Sequence, residues 1–281
     1  MVRFYFYRVF VEPLKQQQLF PDKTISKKDI LRKAFVSETP QEFIAGKNQL
    51  AFINQLVDDD LIYASLAKKS EETIYHSPQE KLEAETVESW PHVRVFVNIA
   101  SDPDKGQILA IESKSNVFRN TTLQLDAFQK YVNEMLKSTG YEINIHPVGS
   151  GEKFWDIINA NKGQIRELTF RYSAPNLFNL KNNLNDELRD AQQEFMLTKA
   201  KVSFENPGGQ LKVDPENDFI KQSVEYVTKG GGDYVVKAKR VYKSKDSISS
   251  QNVDEVELEV AVKDKQSFKQ FCDKLFLWLD S

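Results

Sequence analysis

Residues 101–146, SDPDKGQILAIESKSNVFRNTTLQLDAFQKYVNEMLKSTGYEINIH, constrain the fold more than any other stretch of the chain. An acid-bearing turn leads into a strand that ends at Glu112-Ser113-Lys114. A long amphipathic helix and a second strand follow. The apolar period passes from two to about 3.6 and back, which is how a β-α-β unit reads. The order recurs. Gly106-Gln107-Ile108 opens the first unit, with a helix at about 121–138, a strand at 141–147 and a helix at about 151–161. Gly163-Gln164-Ile165, 57 residues on, opens a strand at 164–172, a helix at about 180–198, a strand at 200–205 and a helix at about 215–228. Identity between the units is low, so duplication and chance agreement both stay open.

Upstream, residues 2–12 combine Phe, Tyr and Val into a strand with apolar side chains on both faces. Ser26 is placed to cap a helix reaching Ala34. KNQLAFINQLV and LIYASLAKK flank Asp58-Asp59-Asp60 as a hairpin. Three consecutive acids lack the ligand spacing of a calcium loop and suit a solvated turn. The Glu-rich stretch 69–90 reads as a linker or surface excursion, and Pro91 leads into a strand at 92–100.

Downstream, Asp214-Pro215-Glu216 is a helix start, and Gly230-Gly231-Gly232 is the matching stop. Strands are expected at 233–243 and 253–262, then a helix at about 264–280 with Phe268, Phe271, Leu275 and Leu279 on one face.

The chain has 281 residues, enough for a large core, and a net charge of −3, so no global positive field draws nucleic acid. Any such contact needs a local patch. A single cysteine, Cys272, excludes an intrachain disulfide framework, fits a reducing cytoplasm and sits among apolar residues as a buried thiol. No apolar run approaches the roughly 18 residues of a membrane span, and the N-terminus is too aromatic and Arg-rich for a signal peptide.

Two constellations carry chemistry. In the first, Asp102 or Asp104 precedes a strand bearing Glu112 and Lys114, whose alternation puts the last two on one face. This arrangement resembles the PD-(D/E)xK nuclease superfamily over about 45 residues. The resemblance implies Mg²⁺ or Mn²⁺ held by Asp104 and Glu112, with Lys114 positioning the attacking water.

In the second, Lys237, Lys239, Lys243 and Lys245 alternate, with Arg240 and Lys229 nearby. Such a row tracks phosphates. Glu255, Glu257 and Glu259 alternate in turn, so an antiparallel pairing of Lys237 with Glu259 and Lys239 with Glu257 would cancel most of that potential. The glycine clusters match no phosphate loop, and His76, His92 and His146 are too scattered for sequence-local metal spacing.

The expectation is an α+β fold of mixed, largely antiparallel sheets flanked by helices, with two β-α-β-α units in the C-terminal two-thirds. Two parts are expected, 1–90 and 91–281. The expected function is that of a cytoplasmic, non-enzymatic binding protein without cofactor, acting through protein partners and possibly DNA or RNA. Accessory components of bacterial defence or mobile-element systems are of this kind. A metal-dependent nuclease is the alternative, and an oligomerising scaffold a third reading.

Overall fold

Alternation along residues 2–13 sets the centre of the fold. Val2, Phe4 and Phe6 enter one apolar cluster, while Tyr7, Val9 and Val11 enter another on the opposite face. A strand buried on both sides needs neighbours on both edges and cover on both faces.

The computed structural model describes residues 1–14, 25–75, 83–100, 107–173, 190, 194 and 199–277. In chain order the first elements are β1 (Val2–Pro13), α1 (Lys27–Phe35), β2 (Gln41–Ala45), β3 (Asn48–Asp58) and β4 (Leu61–Lys68). Then come β5 (Ser70–Tyr75), β6 (Ala84–Ser89), β7 (His92–Asn98), β8 (Ile108–Glu112), α2 (Thr121–Leu136) and β9 (Tyr141–Pro147). The chain continues through α3 (Gly151–Ala160), β10 (Glu167–Ser173), β11 (Lys199–Glu205) and α4 (Asp218–Tyr226). It ends with β12 (Gly232–Lys237), β13 (Val241–Lys243), β14 (Ser250–Val253), α5 (Glu255–Ala261) and α6 (Lys265–Leu277). The fold is α+β, with antiparallel pairing in every ladder. Among the described residues no helix is long and apolar enough to cross a membrane.

The large sheet runs β14-β1-β8-β7-β4-β3-β2, and β9 continues the edge of β1 beyond β14. It draws β1–β4 from before residue 90 and β7, β8, β9 and β14 from after it, so the expected division at that residue runs through one sheet. On one face lie α1 and α2, whose Leu31, Phe35, Leu125, Phe128 and Val132 pack on Phe52 and Val95. Ser26 caps α1 as expected, accepting the N–H of Asp29 at 3.1 Å. On the other face, Phe268, Phe271 and Phe276 of α6 and Leu258 of α5 cover Phe4, Phe6 and Phe96.

β8 and β9 are both antiparallel to β1 and flank it, so they run parallel with β1 inserted between them. The first unit is therefore a split β-α-β. The second unit differs: β10 and β11 pair directly and antiparallel. Its helix, expected at about 180–198, falls almost wholly outside the described residues. Among the described residues the two units differ in topology.

Two local expectations are corrected. Residues 69–90 include a ribbon, with β5 and β6 paired from Ser70↔Ser89 to Tyr75↔Ala84. The segment 253–262, expected as a strand, is the end of β14 followed by helix α5. Asp254 caps that helix, accepting the N–H of Val256 at 2.8 Å, and the acids Glu255 and Glu257 suit its first turn. Leu258 and Ala261 then share the buried side, a spacing the alternating reading overlooked.

Candidate nucleic-acid interface

Between β9 and β14 the chain builds a second sheet, in the order β11-β10-β12-β13. One face is apolar: Leu168, Phe170, Tyr172, Tyr234 and Val236 join Phe154 and Ile158 of α3 and Ile220 and Val224 of α4. Alternation sends the intervening residues to the opposite face. There the register aligns Lys201, Arg171 and Asp233 in one row. Ser203, Thr169, Val235 and Lys243 form the next row, and Glu205, Glu167, Lys237 and Val241 the last.

Two cations on this face are paired. Lys237 Nζ lies 2.5 Å from Glu167 Oε2, and Arg171 Nη1 lies 3.3 Å from Asp233 Oδ1. The Glu167 carboxyl is held below the usual carboxylate range by its hydrogen bonds from Lys237 and Thr169. The strand expected at 233–243 bends at 238–240, where Ala238 N–H donates to the carbonyl of Arg240 at 3.0 Å. Lys239 and Arg240 thus occupy the turn of a β12–β13 hairpin. Arg240 stacks its guanidinium 4.5 Å from the Tyr242 ring. Lys243 and Lys245 are exposed, and the Lys243 backbone N–H donates to Asp246 Oδ2 at 2.7 Å.

The Glu residues expected opposite this row are elsewhere. Glu255, Glu257 and Glu259 ride on α5, which packs on the large sheet, and Glu257 pairs with Lys274 at 2.6 Å. The pairings of Lys237 with Glu259 and Lys239 with Glu257 do not form. None of the ion pairs among the described residues involves Lys201, Lys239, Lys243 or Lys245. Lys229 stands apart, at the other end of β12 from the hairpin turn, paired with Glu225 at 3.0 Å.

No protein-family model and no curated protein matches the chain.

Of the nuclease-like set, Asp102 and Asp104 lie outside the described residues. Glu112 is the last residue of β8 and is buried, its Oε2 accepting the backbone N–H of Arg94 at 3.0 Å. The strand ends there, so Lys114 does not share its face. Lys114 is exposed in the turn that follows, and its carbonyl accepts the N–H groups of Val117 and Phe118. Among the described residues no group of three His, Cys, Asp or Glu side chains is placed to hold a metal.

A polar seam that sequence reasoning missed joins the two sheets. Arg8 lies opposite His146, and Glu12 opposite Glu142, across β1 and β9. Buried Glu12 meets Lys199 Nζ at 3.2 Å, and Glu142 meets it at 3.7 Å. Burial lifts the Glu12 carboxyl above its ordinary range, with Lys199 opposing. His146 Nε2 is 2.9 Å from Ser173 Oγ, and its ring meets the edge of Phe10 at 5.4 Å. Burial, helped by the Lys199 ammonium, pushes that imidazole down to about 4. Tyr226 donates to the Ser173 carbonyl at 2.7 Å. The signal was present in the sequence as polar residues at even spacing, 8 and 12 against 142, 144 and 146, within otherwise apolar strands.

Proposed function

We propose that this protein is a non-enzymatic binding protein whose β12–β13 hairpin and neighbouring exposed cations engage the phosphates of a nucleic acid. One observation carries the reading: the glutamates of α5, which would have neutralised the lysine row, ride on the exposed side of a helix whose Leu258 and Ala261 pack on the other sheet. Lys201, Lys239, Arg240, Lys243 and Lys245 thereby stay available on a chain whose net charge is −3. The aromatic residues of this sheet face its helices, so base stacking on the open face plays no part. Contacts are to the backbone and are independent of sequence.

Fluorescence anisotropy with labelled DNA and RNA oligonucleotides tests the reading. Affinity is expected to fall log-linearly with salt, with a slope of about −2 to −4 for three to five phosphate contacts. The Lys239→Glu, Arg240→Glu, Lys243→Glu variant, checked for folding by circular dichroism, should lose this binding. A flat salt dependence, or no binding at low salt, overturns the proposal.

A further inference from the structure

β4 and β7 pair within the large sheet from Leu61↔Asn98 to Ala67↔His92, and their continuations β5 and β6 leave it. The ribbon forms a two-stranded sheet of its own. Six residue pairs carry it outward by about 20 Å. Its root is braced: Lys69 Nζ is 2.6 Å from Glu88 Oε2 and 6.0 Å from the Trp90 ring centre, and Trp90 Nε1 donates to Glu88 Oε1 at 2.8 Å.

Beyond that root the ribbon is built against the usual rules. A two-stranded ribbon is marginally stable in water, and its outer edges leave backbone N–H and C=O groups open. Glu71 sits directly opposite Glu88, which Lys69 already pairs, and Glu71 and Glu72 themselves join no ion pair among the described residues. Ile74 and Tyr75 are 47% and 68% exposed. A neighbour that offers a strand edge, an apolar side chain and positive charge answers all three features.

The hairpin described above offers them. β13 pairs only with β12 among the described strands, so its outer edge is open at Val241, while the Lys243 N–H is taken by Asp246. Val241 on it is 52% exposed, and Lys239, Arg240 and Lys243 surround it. The ribbon carries Glu71 and Glu72 on β5, opposite in sign. Within one chain the two elements are not paired.

We propose that the β5–β6 ribbon of one copy docks along the β13 edge of a second copy, with Ile74 and Tyr75 against Val241 and the ribbon glutamates against the hairpin cations. Strand addition supplies the backbone bonds and charge sets the partner. The contact joins different surfaces, so it is heterologous and propagates head to tail into a ring or a filament. It does not depend on nucleic-acid binding, although both use the hairpin.

Light scattering after size exclusion provides the test. At low salt the wild-type mass is expected to rise at least about twofold with concentration, and to return to monomer at about 0.5 M salt, where surface charge is screened. Glu71→Lys with Glu72→Lys should hold the protein monomeric; the ribbon itself survives, because residue 71 then faces Glu88 with opposite charge. Lys239→Glu with Arg240→Glu should do the same, and the variant carrying all four changes should assemble again. A monomeric wild type at every concentration overturns the proposal. So does assembly that persists in the hairpin variant, which would assign a ribbon-to-ribbon contact, or a folded four-fold variant that stays monomeric. The ribbon variant keeps nucleic-acid affinity, so anisotropy on it separates failure of this inference from failure of the binding reading.

Discussion

Glu112 Oε2 on β8 accepts the backbone N–H of Arg94 on β7 at 3.0 Å, one residue beyond the last ladder pair, Val95↔Ile111. The carboxylate therefore extends the end of the β7–β8 ladder. Glu112→Ala should cost about 1–3 kcal/mol by leaving a buried donor unmet, and Glu112→Gln less, because an amide oxygen still accepts. Exposed Lys114→Ala should stay within about 0.5 kcal/mol. Urea denaturation of the three variants checks the order; equal losses at 112 and 114 would contradict it.

His146, with a folded value of about 4 against 6.5 unfolded, lends stability that is present above 6.5 and is lost as pH falls from there through about 4. The full amount is at most about 3 kcal/mol. Burial comes first and the Lys199 ammonium second in disfavouring the imidazolium, and Arg8 lies opposite it across β1 and β9. Glu12 works in the opposite sense: its raised carboxyl stabilises below the unfolded value near 4.5 and loses that contribution as pH rises through the folded one. His146→Gln should therefore flatten the decline between pH 6.5 and 4 in urea midpoints. An unchanged decline would remove His146 from the account.

Gly230 has φ +86, and a Cβ there would stand 2.4 Å from Arg8 Cγ. A Cβ on Gly232 would stand 2.0 Å from the Arg171 carbonyl oxygen, which belongs to the β10 ladder and cannot retreat. Alanine at either position should cost about 2 kcal/mol or more, through backbone strain at 230 and overpacking at 232. Thermal melts showing less than about 2 °C of change would refute this packing.

Cys272 lies against Phe96 and Phe271 on the covered face of the large sheet, and burial pushes its thiol up. Ellman's reagent should label it slowly in the native protein and to one equivalent in denaturant, since the chain holds one cysteine. Rapid native labelling would place α6 elsewhere.

Lys201 and Lys229 both lie toward the end of the second sheet away from the hairpin turn, but Lys201 is on a strand and joins no ion pair among the described residues, whereas Lys229 precedes β12 and is paired. Lys201→Ala should lessen the salt slope of nucleic-acid binding by about 0.7–0.9. Lys229→Ala, which removes the Glu225 partner at 3.0 Å, should leave the slope unchanged. Equal effects would shift the interface away from the open face.

Local chemistry made much of this legible. The apolar residues on both sides of β1, the Ser26 cap, the β3–β4 hairpin, the period of α2 and the bounds of β9 all follow from side chains within a few positions of one another. The segment 253–262 was legible in the wrong sense, because its residues satisfy a period of two and a helical spacing together. Asp254 and the apolar floor of Phe4, Phe6 and Phe96 select the helix. Likewise, Glu112-Ser113-Lys114 marks a strand end, but only the ladder shows that β8 stops at 112.

The sequence by itself determined the α+β class, the run of strands and helices and the stretches rich in one charge. Only the tertiary structure decided that β1 enters between β8 and β9, that Glu12 and His146 meet Lys199 and Ser173, and that the α5 glutamates stand on a helix covering the large sheet and not opposite the lysine row. Strand partners and charge partners are chosen across long sequence separations by competition among many edges and faces, and a period along the chain carries no record of that choice.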